Sequence, residues 1–269
     1  MKLFIDSADI EEIKQVKKIG ILDGVTTNPS LIKKASEKYK VKNFETYIKK
    51  ILKICKEKPV SLEVIGTSYE EMVSEGKTLY KKFNKVGKNV YVKIPVNPCM
   101  DLKCNNSSDG IKAIKELSKS RIPVNCTLIF TPEQALLASK AGAKMVSPFV
   151  GRVDDYIREL NRIKFKKDDY FPKQGWKKGK KTLEDNGIVS GVELIKECVN
   201  ILKKSKTDVL AASIRNKKQF REVAEVGADI ATVPFSVIQK LLIHKKTSKG
   251  MKNFTKDVVP EYSKILKWK

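Results

Sequence analysis

The segment Asn89-Val-Tyr-Val-Lys-Ile-Pro-Val96 decides the fold class, because it places a single lysine inside a short apolar run. Its apolar residues alternate with the period of a β-strand. A strand that is apolar on both faces is typical of a parallel sheet covered by helices. Burying an unpaired ammonium is costly, so Lys93 in such a strand tends to lose its proton, and a neutral amine can attack a carbonyl carbon. The alternative is a strand-end lysine whose ammonium reaches water.

Similar apolar runs alternate with amphipathic helical stretches along the whole chain of 269 residues. Eight strands are predicted, from Leu3–Asp6 to Ile230–Phe235. About eight βα units in a chain of this length predict an α/β protein with a single TIM-barrel domain, (β/α)8, over residues 1–269. An open doubly wound sheet is the alternative. It normally carries a glycine-rich loop after its first strand, and Asp6-Ser-Ala-Asp9 is not such a loop.

Two segments interrupt the βα rhythm, residues 97–109 after the fourth strand and residues 158–186 after the sixth. Both are predicted to be insertions on the C-terminal face of the barrel, where loops carry function. The second mixes lysines with aromatic residues, as nucleic-acid-binding segments do, but we expect a solvated, partly mobile insertion. A C-terminal helix is predicted over residues 253–266. His244 and Trp268, in the terminal region, are expected to be structural.

Composition bears on location and partners. No window approaches the roughly 18 apolar residues of a membrane span, and Asp6 interrupts the apolar N-terminus, so we expect a cytoplasmic protein. Five cysteines without a Cys-x-x-Cys pair, and a single histidine, predict reduced thiols and no zinc site. The net charge of +24 comes mainly from scattered lysines, since only six of the 55 basic residues are arginine. This pattern predicts a lysine-rich surface without specific nucleic-acid recognition.

Polar side chains recur near the carboxyl ends of the predicted strands. Residues two apart on a strand share a face, so Asn125, Thr127 and Ile129 are predicted to point the same way. Any one polar residue there is readily explained as a hydrogen-bonded core group. Branched apolar side chains normally fill a barrel, so a concentration of polar groups at its upper end predicts a site. Its predicted members, with Thr26 and Phe149 beside them, are Asp6, Asn28, Glu63, Lys93, Asn125, Thr127, Ser147, Ser213 and Arg215.

These residue types indicate carbonyl chemistry. Lys93 could form a Schiff base with a ketone or aldehyde, and Asp6 and Glu63 are carboxylates suited to proton transfer, through a water held by Thr127. Amide side chains can bind substrate hydroxyls as donor or acceptor, which is the predicted role of Asn28 and Asn125. Paired guanidinium donors suit a phosphate, which is the role predicted for Arg152 and Arg215, with Ser213 beside them. The alternative for each arginine is a surface ion pair.

Several strings in this sequence resemble the transaldolases, in the right order and over nearly the whole chain. They are Asp6, Gly24-Val-Thr-Thr-Asn-Pro-Ser30, Val92-Lys-Ile-Pro-Val96, Asn125-Cys-Thr-Leu-Ile-Phe130, Ser147-Pro-Phe-Val-Gly-Arg152, Ala212-Ser-Ile-Arg-Asn216 and Ala228-Asp-Ile-Ala-Thr-Val-Pro234. The likeness is greatest to the small transaldolase-like subfamily, which also contains fructose-6-phosphate aldolases. Small members lack the two insertions.

The resemblance implies a class I barrel enzyme without metal or cofactor. Such an enzyme moves a dihydroxyacetone unit from sedoheptulose 7-phosphate or fructose 6-phosphate to erythrose 4-phosphate or glyceraldehyde 3-phosphate, in the pentose phosphate pathway. It implies that Lys93 forms the Schiff base, that Asp6 transfers protons, and that Glu63 and Thr127 hold the catalytic water. Substrate contacts are implied for Asn28, Asn125 and Ser147, and phosphate contacts for Arg152, Ser213 and Arg215. It also implies a homo-oligomer, as rings of five or ten subunits.

Two positions bear on the choice between transfer and aldol cleavage. Glu63 and Phe149 match transaldolases, whereas the aldolases of this subfamily have glutamine and tyrosine there, so both favour transfer. Fructose-6-phosphate aldolase activity stays an alternative. Another, of a different class, is a barrel that binds polyanions and has lost catalysis, which the charge of +24 and residues 164–181 would explain.

Overall fold

Eight parallel strands close into a barrel in the computed structural model, which describes residues 1–101 and 103–266. The barrel order is β1-β2-β3-β4-β5-β6-β9-β10 and back to β1, so the predicted (β/α)8 barrel is confirmed. A separate antiparallel hairpin is formed by β7 and β8. The strands are β1 (Lys2–Asp6), β2 (Gly24–Thr26), β3 (Val60–Glu63), β4 (Val90–Pro95), β5 (Val124–Ile129), β6 (Met145–Pro148), β7 (Lys177–Lys178), β8 (Lys181–Thr182), β9 (Asp208–Ala211) and β10 (Ile230–Val233).

Twelve helices lie in the described part of the chain, most of them around the barrel. They are α1 (Ile10–Ile19), α2 (Pro29–Tyr39), α3 (Phe44–Ile54), α4 (Tyr69–Gly87), α5 (Asp109–Lys119), α6 (Pro132–Ala141), α7 (Val150–Leu160), α8 (Gly191–Leu202), α9 (Lys217–Glu225), α10 (Phe235–Leu241), α11 (Lys245–Lys256) and α12 (Pro260–Ile265). None of these is both long enough and apolar enough to cross a membrane.

Local sequence sets where several helices begin. The side chains of Ser68 and Thr131 each accept a hydrogen bond from the backbone N–H three residues later, of Glu71 and Gln134 respectively. In return, the backbone N–H of each cap residue donates to the side-chain oxygen of that Glu71 or Gln134. Such capping boxes satisfy backbone groups that a helix end leaves free. Helix α6 also begins with Pro132, which has no N–H to lose. These caps fix the start of the helices that follow β3 and β5.

The apolar core has two layers. A large cluster fills the space between the strands and the surrounding helices, and a smaller one lies inside the barrel. The inner cluster holds Phe4, Met145, Phe149, Leu210, Ala212 and Ile230. Gly24 faces the Phe4 ring so closely that an added Cβ would collide with it. The inner cluster therefore plugs the barrel, and the polar groups gather at its carboxyl end.

A β-bulge in β5 overturns one predicted strand face. The register with β6 shifts between Cys126 and Ile129, and Leu128 takes a left-handed backbone conformation with φ 58°. A bulge inserts one residue and re-aims the side chains after it. Leu128 therefore packs against the inner cluster, while Ile129 belongs to the outer one. The prediction that Ile129 shares the face of Asn125 and Thr127 is wrong for this reason.

The boundaries of the second insertion and of the C-terminal helix differ from those predicted. Helix α7 follows β6, so the insertion begins only after Leu160 and joins α7 to α8. The predicted helix over residues 253–266 is broken between α11 and α12, because Pro260 cannot donate a backbone hydrogen bond and instead begins a new helix. His244 accepts a hydrogen bond from the Lys246 backbone at the start of α11. Trp268 lies outside the described residues.

The first insertion contains the one departure from the cysteine prediction. Cys99 and Cys104 are joined as a disulfide, with their Cα atoms 5.9 Å apart. The expectation of five reduced thiols is wrong for these two, whose Cα separation lies within the range that a disulfide spans. Cys55, Cys126 and Cys198 are free and buried.

The second insertion packs around one buried arginine. The Arg158 guanidinium lies 4.9 Å from the ring centroids of both Phe165 and Phe171 and donates to the Asp169 carbonyl at 2.9 Å. Arg158 and Phe171 are each 1% exposed. The expectation of a solvated segment is therefore wrong for Phe171, whereas the lysines of residues 164–167 are exposed as expected. Two of its aromatic rings are occupied by packing, so they do not form a free stacking surface for nucleic-acid bases.

Replacing Arg158 by leucine is expected to lower the free energy of unfolding by about 3 kcal/mol, because a buried charge network loses its central cation. Urea denaturation of the whole protein measures this loss. Arg221→Leu is the matched control, since the Arg221 side chain is 66% exposed and its ion pair with Glu225 spans 3.9 Å. The control should change stability by no more than about 0.5 kcal/mol. Equal, small effects of the two substitutions would show that Arg158 does not organise the insertion.

Candidate active site

Lys93 lies in the middle of β4 with its side chain turned into the barrel. The side chain is 7% exposed, and Nζ donates to the Thr27 carbonyl oxygen at 3.1 Å. Oε2 of Glu63 lies 3.1 Å from the same nitrogen, so the amine has a carboxylate partner. Parallel pairing explains the contact, because Glu63 of β3 and Lys93 of β4 are register partners. The arrangement holds a nucleophile and a proton acceptor side by side.

Thr127 is the neighbour on the other side of β4, where it pairs in register with Pro95. Its Oγ1 is buried, and no hydrogen-bond partner for it exists among the residues the structure describes. Buried hydroxyls nearly always have a partner, which here is expected to be a water or a substrate oxygen. Glu63 Oε2 is likewise without an aligned hydrogen bond, although it forms the ion pair with Lys93. These two oxygens and the amine are therefore available to a ligand.

Asp6 ends β1 and reaches the same cavity. Burial raises its pKa above the usual 3.8, against the opposing effects of Lys93, of a hydrogen bond from Thr26 and of Arg152. Thr26 Oγ1 donates to Asp6 Oδ1 at 2.7 Å and lies 2.6 Å from Thr232 Oγ1. A carboxyl whose pKa is raised toward neutral exchanges protons more readily in both directions near physiological pH. Asp6 is therefore well placed for proton transfer.

The two predicted substrate-binding asparagines have different surroundings. Asn28 lines the cavity and also caps α2, because its Oδ1 accepts from the Leu31 backbone at 2.9 Å. Asn125 is fully buried below the cavity wall. Its Nδ2 donates to Ser61 Oγ at 3.0 Å, and its Oδ1 accepts from Ser147 Oγ at 2.7 Å. Of this chain of three, only Ser147 lines the cavity.

Aromatic and basic side chains form the end of the cavity opposite Lys93. Phe149 packs against Phe130 with ring centroids 5.7 Å apart, and the exposed Arg152 guanidinium lies 4.8 Å from the Phe149 ring centroid. Arg215 also lines the cavity, but its Nη1 and Nη2 donate to the two Asp155 oxygens at 2.6 and 2.5 Å. Arg215 thus lines the cavity, as the predicted phosphate role requires, and also forms an ion pair, as the alternative predicted. Ser213 lies beside it in a left-handed conformation, with φ 59°.

Together these groups surround a cavity of about 500 Å³ at the carboxyl ends of the strands. Every predicted site residue except Asn125 lines it. Two polar residues that were not predicted as members of the site, Thr232 and Lys167, line it as well. No group of three or more His, Cys, Asp or Glu side chains in residues 1–101 and 103–266 is arranged to hold a metal ion. Two lysines, two carboxylates, hydroxyls and two guanidiniums are what this cavity offers to a ligand.

A larger cavity, of about 850 Å³, lies beside α1 and α3 on the outside of the barrel. Its charged lining is mostly lysine, with the single carboxylate of Glu11. Among its described lining residues the one buried titratable group is the Tyr47 phenol, so the cavity holds nothing comparable to the paired amine and carboxylate of the barrel interior. Chemistry is accordingly assigned to the smaller cavity.

Residues 3–267 match the family model described as Transaldolase/Fructose-6-phosphate aldolase. The chain belongs to this family. The resemblance carried by the sequence motifs is thereby confirmed. The (β/α)8 barrel that this resemblance implied is the fold observed.

Individual transaldolase-like relatives agree. A probable transaldolase of Bdellovibrio bacteriovorus is 42% identical over 261 residues, covering 96% of this chain and 97% of that protein. One of Thermoplasma acidophilum is 41% identical over 269 residues, covering 99% and 100% of the two chains. One of Nitrosopumilus maritimus is 40% identical over 260 residues, covering 96% and 94%. The similarity therefore extends over the full length of these relatives.

Thr232 and Lys167 were not predicted from the sequence to line the cavity, for two different reasons. Thr232 lies in β10 between apolar neighbours, and its position two residues before Pro234, at the strand's carboxyl end, is a signal of the kind that identified Thr26. Lys167 lies in a lysine-rich stretch where no local pattern separates it from Lys164 or Lys166. Only the path of the insertion across the barrel reveals it.

Proposed function

We propose that this protein is a transaldolase of the pentose phosphate pathway, acting in the cytoplasm through a Schiff base on Lys93. It would transfer a dihydroxyacetone unit from sedoheptulose 7-phosphate or fructose 6-phosphate to erythrose 4-phosphate or glyceraldehyde 3-phosphate. The observation that carries the proposal is the Lys93 amine inside the closed barrel, 3.1 Å from Glu63, with Asp6 and Thr127 on the same cavity. The family membership of the chain supports it.

The first step forms the covalent link. The neutral Lys93 amine, after Glu63 or a water has taken its proton, attacks C2 of the ketose and gives a carbinolamine. Loss of water then needs a proton on the leaving hydroxyl, which Glu63 supplies through a water bound to Thr127 Oγ1. The Thr127 hydroxyl is buried and has no hydrogen-bond partner among the described residues, which leaves it available to bind a water.

The second step cleaves the C3–C4 bond. Asp6 removes the proton of the C4 hydroxyl, an aldose phosphate leaves, and the bonding electrons pass into the protonated imine to give an enamine on Lys93. Transfer is the reverse reaction with a new aldehyde. The enamine attacks its carbonyl carbon, Asp6 returns the proton to the new hydroxyl, and water hydrolyses the imine. Because the imine accepts the electrons, the proposed reaction needs neither metal nor organic cofactor.

Substrate positioning is assigned to the remaining polar groups. Asn28 and Ser147 are on the cavity wall and are proposed to bind the hydroxyls of the three-carbon unit. Asn125 would act by orienting the Ser147 hydroxyl, with which it shares a hydrogen bond of 2.7 Å. Arg152, Ser213 and Arg215 are proposed to bind the phosphate at the opposite end.

An assay with and without acceptor tests the proposal. Fructose 6-phosphate and erythrose 4-phosphate together are expected to yield glyceraldehyde 3-phosphate, and fructose 6-phosphate alone is expected to yield almost none. Equal rates with and without the acceptor, with release of free dihydroxyacetone, would instead establish fructose-6-phosphate aldolase activity. DNA binding that persists at about 0.3 M salt, without activity in either assay, would support the non-catalytic alternative, since scattered lysines lose polyanion affinity steeply with salt.

The terminal helices support a further part of the proposal, that the chain forms a homo-oligomer. No residue of α11 or α12 is buried, although Phe254, Tyr262 and Ile265 are large and apolar, and Phe254 is 72% exposed. A row of exposed apolar side chains on helices is typical of an interaction surface. We propose a ring of five or ten subunits, as the family resemblance implies. Light scattering during gel filtration is expected to give one of these masses, and a monomer would contradict the assembly.

A further inference from the structure

The second insertion reaches the phosphate end of the active-site cavity. Lys167, which belongs to this insertion, lines the cavity together with Arg152 and Arg215. Its backbone is fixed there, because the Lys167 carbonyl oxygen accepts a hydrogen bond from Arg215 Nη1 at 3.0 Å. The insertion is therefore attached to one of the arginines proposed to bind phosphate.

The turn that carries Lys167 is held from both sides. Lys166 and Asp169 close it, with the Lys166 backbone donating to Asp169 Oδ2 at 2.7 Å and the Asp169 backbone donating to the Lys166 carbonyl at 2.9 Å. The buried Arg158 donates to the Asp169 carbonyl at 2.9 Å. Asp155 links the two arginines, lying 3.5 Å from Arg158 Nη1 and pairing with Arg215. The position of Lys167 at the cavity is thus set by a connected network.

The charges at this end point to a need for Lys167. A sugar phosphate carries about two negative charges at neutral pH. Each carboxylate oxygen of Asp155 accepts a hydrogen bond from one terminal nitrogen of Arg215, so the positive charge of Arg215 is already largely neutralised. Four cationic side chains line the cavity among the described residues. Lys93 forms an ion pair with Glu63 and Arg215 with Asp155, whereas Arg152 and Lys167 form none.

Donor counting leads to the same conclusion. A guanidinium has five N–H donors, and three of those on Arg215 are used by Asp155 and the Lys167 carbonyl. Nε–H and one Nη2–H are left for a phosphate, which offers three oxygens with several lone pairs. The ammonium of Lys167 would add three donors from the side of the insertion.

We propose that Lys167 is a phosphate-binding residue of this active site, supplied by the second insertion, and that it helps the enzyme to select phosphorylated over unphosphorylated sugars. The inference rests on the proposed transaldolase function. The second insertion would thereby contribute to the selection of phosphorylated substrates. Neither the lysine-rich composition of the insertion nor its packing around Arg158 implies such a role.

Lys167→Met tests the proposal by comparing two acceptors at saturating fructose 6-phosphate. For erythrose 4-phosphate, kcat/KM is expected to fall about tenfold, mainly through KM, because a charge-assisted hydrogen bond to phosphate is lost. For unphosphorylated erythrose it is expected to stay within about twofold. Lys167→Arg should restore most of the loss, since it keeps the charge. Lys166→Met is the matched control, because Lys166 is exposed and does not line the cavity.

Binding of inorganic phosphate separates this proposal from the proposed function. Calorimetry is expected to show an affinity about tenfold weaker for Lys167→Met than for the wild type, and unchanged for Lys166→Met, whether or not transfer is detected. Failure of transfer with an intact phosphate difference would contradict the transaldolase assignment alone. Equal losses for both acceptors, or unchanged phosphate affinity, would overturn the assignment of Lys167.

Discussion

Replacing Lys93 by methionine is expected to lower kcat/KM for transfer by at least about 10⁴-fold, because the reaction loses the amine that is proposed to form the covalent intermediate. Methionine keeps the length and the apolar stem of lysine, so the strand should pack as before. The substitution leaves Glu63 without its partner at 3.1 Å. Stability is therefore expected to fall, and adding Glu63→Gln should recover part of it.

Steady-state transfer kinetics and thermal unfolding measure the two effects of Lys93→Met. Lys2→Met is a suitable control, because Lys2 begins a barrel strand at the opposite end, with a side chain 61% exposed. Its activity should equal that of the wild type. Activity of Lys93→Met within tenfold of the wild type, in a folded protein, would refute the assigned role of the amine.

Replacing Asp6 by asparagine is expected to lower kcat by about 10²- to 10⁴-fold, the usual range for loss of a general base. The lesion should lie in C–C cleavage, because Schiff-base formation is assigned to other groups. Reaction with fructose 6-phosphate is therefore expected to stop at the six-carbon imine, which mass spectrometry after reduction distinguishes from a three-carbon adduct. A three-carbon adduct formed at the normal rate would show that another group removes the proton.

The raised pKa of Asp6 predicts the direction of the pH dependence. Asp6 must be ionised to take the proton of the C4 hydroxyl, so kcat should fall as pH drops through its pKa. Burial raises that pKa above 3.8, so the fall should begin at a higher pH than for an ordinary aspartate. Thr26→Val removes a hydrogen bond that lowers the pKa and should move the acidic limb to still higher pH. A limb unchanged by Thr26→Val would argue that another group governs it.

Much of the site could be predicted from sequence because parallel strands place their residues in register. Alternation identified β3 and β4 separately, and the pairing of Glu63 with Lys93 then follows from the barrel geometry. The same logic located Thr127 in β5 and Asp6 at the end of β1. Strand period is a local property, and in this barrel neighbouring strands follow one another along the chain, so the two together were sufficient for these positions.

Other features depend on contacts that no local pattern reveals. The bulge at Leu128 changes which side chains of β5 face inward, and Asn125 is held below the cavity by Ser61 and Ser147. Arg215 is paired with Asp155, which lies 60 residues earlier in the chain. These arrangements are set by packing between distant segments.

The insertion shows the same limit most clearly. Its lysines and aromatic residues predicted a solvated segment, but a single arginine on α7 gathers two of the rings and fixes the turn before Asp169. Helix α7 itself was not predicted, and residues 151–157 were assigned to no helix or strand. Composition alone cannot show which cation of a lysine-rich stretch will face a cavity.

Borohydride reduction in the presence of fructose 6-phosphate, followed by peptide mass mapping, tests the central claim most directly. One three-carbon adduct per chain is expected, located on Lys93, and none in Lys93→Met. An unmodified Lys93 in active protein, or an adduct spread over several surface lysines, would contradict it.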